Sequence, residues 1–154
     1  MTIEVHKPVP DFSATATTGE LKLSDFQGQY LVLYFYPRDN TPGCTTEAQD
    51  FTAQYEQFKK LNAAIVGVSR DSLKKHENFI AKYDIPYPLI ADEDESLCEL
   101  FGVMKLKKLY GKESRGIERS TFLIDPKGQL VAEWRGLKVP GHVENVLETL
   151  RNQA

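Results

Sequence analysis

Residues 30–47 read YLVLYFYPRDNTPGCTTE, and their reading decides the fold. Tyr30-Leu31-Val32-Leu33-Tyr34-Phe35-Tyr36 is an unbroken apolar and aromatic run, the pattern of a strand buried on both faces. Pro37 and the polar Arg38-Asp39-Asn40 stop it. Thr41 has the oxygen of an N-cap, and Pro42 occupies the position where a helix best tolerates proline. Cys44, Ala48, Phe51, Tyr55 and Phe58 then recur at helical spacing, which predicts one apolar helix face with Cys44 at its head. A buried strand thus hands a cysteine, through a short turn, to the first turn of a helix.

That placement favours a reactive sulfur. The first N–H groups of a helix have no partner inside it, and the summed peptide dipoles make that end positive. Cysteines so placed titrate well below the ordinary ~8.5, in the range of roughly 3.5–7.5, and the thiolate is the nucleophilic form. Thr41 adds a hydroxyl that can donate to, or accept from, whatever the sulfur attacks. A free cysteine is usually a small buried hydrophobe, but such a residue has no need of a Thr-Pro-Gly helix entry.

Pro37, Thr41 and Cys44 reproduce the Pro-x-x-x-Thr/Ser-x-x-Cys motif of the peroxiredoxins. The fuller string from Tyr34 through Pro37 to Thr41-Pro42-Gly43-Cys44-Thr45-Thr46-Glu47 resembles the bacterioferritin comigratory protein (peroxiredoxin Q) branch, and the likeness runs over nearly the whole chain. The resemblance implies an α/β, thioredoxin-like fold: a central mixed sheet flanked by helices, with an N-terminal β-hairpin extension.

The rest of the chain agrees with that order. At 154 residues it suits one domain over 1–154, able to bury about 68–70% of its unfolded surface. A net charge of −3 gives no reason to expect a nucleic-acid partner. No apolar run approaches the ~20 residues of a membrane span, and the N-terminus shows no secretory pattern. Two cysteines do not make a disulfide framework, so a reducing, cytoplasmic setting is expected. Phe12, Ala14 and Ala16, then Leu21 and Leu23, alternate as a hairpin around Thr18-Gly19. Residues 63–68 read as a second buried strand, and 85–90 as a third that Pro86 and Pro88 confine to an edge or a late start. Between them Asp71 or Ser72 caps a helix bearing Leu73, His76, Ile80 and Tyr83, with His76 partly buried on its face. Asp92-Glu93-Asp94-Glu95 reads as a solvated acidic loop, and Ser96-Leu97-Cys98-Glu99 has the form of a capping box. Residues 105–118 read as a charged loop, with Lys105, Lys107, Lys108, Lys112 and Arg115 as a solvated basic face. Ser120–Ile124 and the alternating Leu130, Ala132 and Trp134 give two more strands across the turn 125–128. Val143, Val146, Leu147 and Leu150 stripe a last helix.

Attack on a peroxide needs an ionised sulfur, groups that hold the O–O bond in line, and stabilisation of charge on the leaving oxygen. Cys44 supplies the first; Thr41 and the N–H groups of Gly43 and Cys44 supply the second. Arg119, which alone would read as a surface residue at a strand edge, matches the active-site arginine of the resembled family and so takes the third. Pro37 shields the sulfur from water, Arg38 is solvated, and Glu47 either orients Arg119 or favours the positive helix end.

One departure matters. Many members of the branch carry a resolving cysteine five positions after the first, where this chain has Gln49, and others in the next helix, where Phe79-Ile80-Ala81 stand. Cys98 remains, and a packed thiol is preferred there over a resolving one. A one-cysteine cycle is expected, restored by thioredoxin, glutaredoxin or a low-molecular-weight thiol, in a monomer. The partners expected are the peroxide and that thiol reductant; no cofactor is expected, and His6, His76 and His142 share no metal-ligand spacing with the cysteines. A disulfide oxidoreductase would need Cys-x-x-Cys, yet Thr45-Thr46-Glu47 follow Cys44. A non-catalytic thioredoxin-fold binding module or redox chaperone would retain the scaffold without turnover.

Overall fold

The computed structural model describes residues 3–109 and 111–153. Seven strands form one mixed sheet in the order β2-β1-β5-β4-β3-β8-β9, and two more, β6 and β7, pair apart from it. The centre is β3 (Tyr30–Phe35), flanked by β4 (Ala63–Ser69) in parallel and β8 (Ser120–Ile124) in antiparallel register. Alternation in β3 divides its side chains between two cores. Leu31, Leu33 and Phe35 enter one core together with Cys98, while Val32 and Tyr34, followed by Tyr36, enter the other together with Cys44. A strand buried on both faces has no polar side to display, which is why residues 30–36 carry no hydrophilic alternation.

At the edges the rules relax. β9 (Leu130–Arg135), an edge strand paired with β8, is half-buried, matching its alternating sequence. On the other side of the sheet β5 (Leu89–Ala91), between β4 and β1 and so not an edge, starts only after Pro88, since neither proline has an N–H to give the ladder. The expected hairpin forms as β1 (Ser13–Ala16) and β2 (Gly19–Lys22), and it continues the sheet beyond β5 through the Ala16–Ile90 pair. Gly67 in β4 is required by close approach: a Cβ there would stand 2.7 Å from Leu89 Cδ2 and 3.0 Å from Tyr34 Cζ.

Several expectations need correction. The helix after the turn is two pieces, α1 (Pro42–Ala53) and α2 (Tyr55–Lys60), broken at Gln54 with φ −102° and ψ 6°. Ala48 O accepts the hydroxyls of Thr52 and Tyr87, and such back-bonding bends a helix. Over residues 105–109 and 112–117 the expected loop is a ribbon, because β6 (Met104–Leu109) and β7 (Lys112–Ile117) pair in antiparallel register. Leu106 is 71% exposed, so this ribbon buries little and leaves no hydrophobic signature. Arg115 in it is not simply solvated but bonds Glu95 at 2.8 Å and Glu99 at 2.6 Å; the side chains of Lys107 and Lys108 lie outside the described residues. Finally, the short helix α4 (Ser96–Leu100) has no capping box on Ser96: Asp92, buried and not solvated, accepts the amides of Leu97 and Cys98 at 3.0 and 2.8 Å. Helix α3 (Leu73–Tyr83) is capped by Ser72 as expected, but its fully buried residues are His76 and Phe79. The C-terminal helix α5 (His142–Gln153) buries Val143, Val146, Leu147 and Leu150.

Candidate active site

The site starts where β3 ends. Tyr34 stacks on Phe51 of α1 with ring centroids 4.6 Å apart, and Ala48 lets the helix lie close to the sheet. Burial of a side chain of this size contributes roughly 1.5–3 kcal/mol, so α1 is fixed over the strand that precedes it. Thr41 occupies the N-cap position with extended backbone, and Pro42 opens the helix. Its hydroxyl, however, donates to Arg38 O at 2.9 Å, closing the turn, and makes no cap bond to the helix. The first helical bond runs from Thr45 N to Thr41 O, so the Gly43 and Cys44 amides lie ahead of it, open to a ligand.

Cys44 is 2% exposed in the first turn of α1. Arg119, just before β8, reaches it from the strand beside β3: Nη2 lies 3.4 Å from Sγ, while Nη1 donates to Glu47 Oε1 at 2.7 Å. One planar cation therefore links the sulfur to a carboxylate one turn further along the same helix. Gly43 makes room for it, since a Cβ there would meet Nη2 at 3.2 Å. Glu47 is completely buried, and its Oε2 has no hydrogen-bond partner. Desolvation raises its pKa to about 7, against the pull of Arg119. Burial works against the Arg119 cation too, but Glu47 and Cys44 outweigh it and raise its pKa. Behind Arg119, His142 Nε2 lies 2.8 Å from Thr121 Oγ1. Burial, aided by the Arg119 charge, lowers the His142 pKa to about 4, leaving a neutral ring.

The structure brings Cys44, Gly43, Glu47 and Arg119 together, with Thr41 closing the adjoining turn and Pro37 half-buried at its start. It does not bring Cys98 to them. That thiol is fully buried in α4 and packs in the core on the other face of the sheet. Burial and the Asp92 carboxylate hold its pKa well above the ordinary thiol range. Gln49 is exposed on α1. His76, expected on a partly buried face, is completely buried against Asp39, a contact for which the sequence gives no spacing signal.

A buried thiol at a helix head, facing a guanidinium on a mixed sheet of this order, defines a thioredoxin-like thiol enzyme. The AhpC/TSA family profile matches residues 5–133, and the chain belongs to that family. It is 52% identical to peroxiredoxin Bcp of Bacillus subtilis (strain 168) over 100% of this chain and 99% of that one. The structure superposes on a cysteine-to-serine mutant of Xylella fastidiosa PrxQ with a TM-score of 0.92 at 43% identity, covering 98% of this chain and 97% of the other. It also superposes on a Xanthomonas campestris bacterioferritin comigratory protein, studied for alkyl peroxide reduction in trapped intermediate/ligand complexes. There the TM-score is 0.88 at 49% identity, over 92% of this chain and 90% of that one. The chain is thus a peroxiredoxin of the Bcp/peroxiredoxin Q branch, a thiol peroxidase acting on peroxides.

Proposed function

We propose that Cys44 is the sulfur that attacks the peroxide and that a single cysteine carries the cycle. The observation behind this reading is the Arg119 guanidinium bonded at once to Cys44 Sγ and Glu47. The Cys44 thiolate attacks one peroxide oxygen, the O–O bond breaks, and the sulfur becomes a sulfenic acid as the leaving oxygen departs as alcohol or water. Arg119 holds sulfur and oxygen together and neutralises charge on the leaving group, while the Gly43 and Cys44 amides and the Thr41 oxygen hold the peroxide in line. Pro37 covers the sulfur from the side of the turn. Hydrogen peroxide and organic hydroperoxides are both within reach of this chemistry.

The sulfenic acid is then reduced by an external thiol: thioredoxin, glutaredoxin or a small thiol. Three features support that choice: Gln49 stands five residues after Cys44, α3 contains no cysteine, and the sheet separates Cys44 from Cys98. We read the protein as a one-domain cytoplasmic monomer; no helix among the described residues is long and apolar enough to cross a membrane. Peroxide consumption by wild type, Cys44→Ser and Arg119→Met tests the assignment. Cys44→Ser should be inactive, and Arg119→Met should lose about 10²–10³ in rate, the effect of removing one preorganised donor. Consumption by Cys44→Ser at the wild-type rate would end the assignment of this sulfur, and no consumption by either protein would restore the reading of a binding module.

A further inference from the structure

The turn between β3 and α1 is tied to α3 by buried polar side chains that no step above uses. His76 Nε2 lies 2.9 Å from the carbonyl oxygen of Ile90, and a carbonyl only accepts, so that nitrogen carries hydrogen. His76 Nδ1 lies 2.7 Å from Asp39 Oδ2, so ring and carboxylate are hydrogen-bonded. The other Asp39 oxygen accepts from the Tyr36 hydroxyl at 2.6 Å. The Asp39 backbone N–H donates to Asp71 Oδ2 at 2.8 Å, and Ser69 Oγ donates to that same oxygen at 2.7 Å. Asp39, Asp71 and His76 bring polar atoms within 4.8 Å of one another, and these hydrogen bonds account for the cluster.

We propose that His76 and Asp39 are positioning residues for peroxide reduction: the imidazole on α3 holds Asp39, and through it the turn that sets the open amide end of α1 around Cys44. The path is short. Asn40 follows in the left-handed region at φ 62°, the Thr41 hydroxyl closes back on Arg38 O, and Thr41 is the N-cap of α1. With Asp39 fixed, few backbone torsions remain free before the Gly43 amide. An apolar residue at 76 would also pack α3 on the sheet and would not require a satisfied hydrogen-bond network. What it would not supply is a directional hold on the turn, which a fully bonded buried network does. This inference rests on the reading of Cys44 as the peroxide-reducing sulfur.

Two conservative substitutions separate positioning from support. In His76→Asn the amide nitrogen stands one atom beyond Cγ, where Nδ1 stood, and can donate to Asp39. In His76→Gln it reaches the place of Nε2 and can donate to Ile90 O. Single-turnover oxidation of Cys44 by hydrogen peroxide, read by quench, alkylation and mass spectrometry, is measured beside urea unfolding for wild type, His76→Ala, His76→Asn and His76→Gln. His76→Ala should slow Cys44 oxidation about tenfold or more, the worth of a hydrogen bond to a charged group. His76→Asn should recover most of the rate; His76→Gln should not, however stable it is. Asp39→Ala, which changes no residue of α3, covers the case in which His76→Ala does not fold, and should show the same loss. Equal rates for the Asn and Gln variants, or an unchanged rate in Asp39→Ala, would overturn the proposal. Peroxide consumption by Cys44→Ser in the same series would instead remove the assignment of the sulfur.

Discussion

Glu47→Gln isolates what it costs to hold Arg119 with a buried carboxylate. The residue has no exposed surface, and its pKa stands at about 7 against an ordinary 4.5. At ~1.36 kcal/mol per pKa unit, that difference corresponds to about 3 kcal/mol. The sign follows from proton binding. Below pH 4.5 the carboxyl is protonated in folded and unfolded chains alike. Between 4.5 and about 7 the unfolded chain releases the proton while the folded one keeps it, so stability falls as pH rises and levels off above about 7. Glutamine cannot ionise and lacks this fall. Urea unfolding of both proteins from about pH 4 to 9 should therefore show the stability difference shifting by about 3 kcal/mol in favour of the variant as pH rises. Activity should move the other way. Above about pH 7 the ionised Glu47 anchors Arg119 on Cys44, and the variant, without that anion, should oxidise more slowly. Parallel stability curves would refute the reasoning, since they would mean that burial does not raise this carboxyl.

Two further substitutions probe the same geometry. Gly43→Ala places a Cβ 3.2 Å from Arg119 Nη2, so Cys44 oxidation should slow by about tenfold while helix propensity leaves stability equal or higher by ~0.5–1 kcal/mol; an unchanged peroxide rate in stopped-flow would show that the guanidinium yields without consequence. Cys98→Ser should leave turnover with an external thiol intact while buried hydroxyl desolvation lowers stability by about 1–3 kcal/mol; loss of turnover with stability retained would identify Cys98 as a working thiol.

The strand, the turn and the head of α1 were legible because each signal is local. Burial on both faces, a stop at proline, an N-cap and a helical apolar stripe all lie within residues 30–58. The same locality explains the misses. Asp92 caps α4 from outside the capping-box spacing, and a ribbon with an exposed Leu106 has no core to pattern its residues. Nothing local marks the division at Gln54, and one of the two hydroxyls on the Ala48 carbonyl comes from Tyr87, beyond α3 in the chain.

The sequence by itself determined that a cysteine would sit at the positive end of a helix fed by a buried strand, because period, cap and dipole are properties of neighbouring residues. Only the tertiary structure decided what faces that cysteine. Arg119 is 75 positions from Cys44 and meets it because β8 pairs beside β3; His76 is 37 positions from Asp39 and meets it because α3 packs against the end of that strand. The sheet that creates those meetings also keeps Cys98 apart, since side chains on opposite faces of a strand cannot touch.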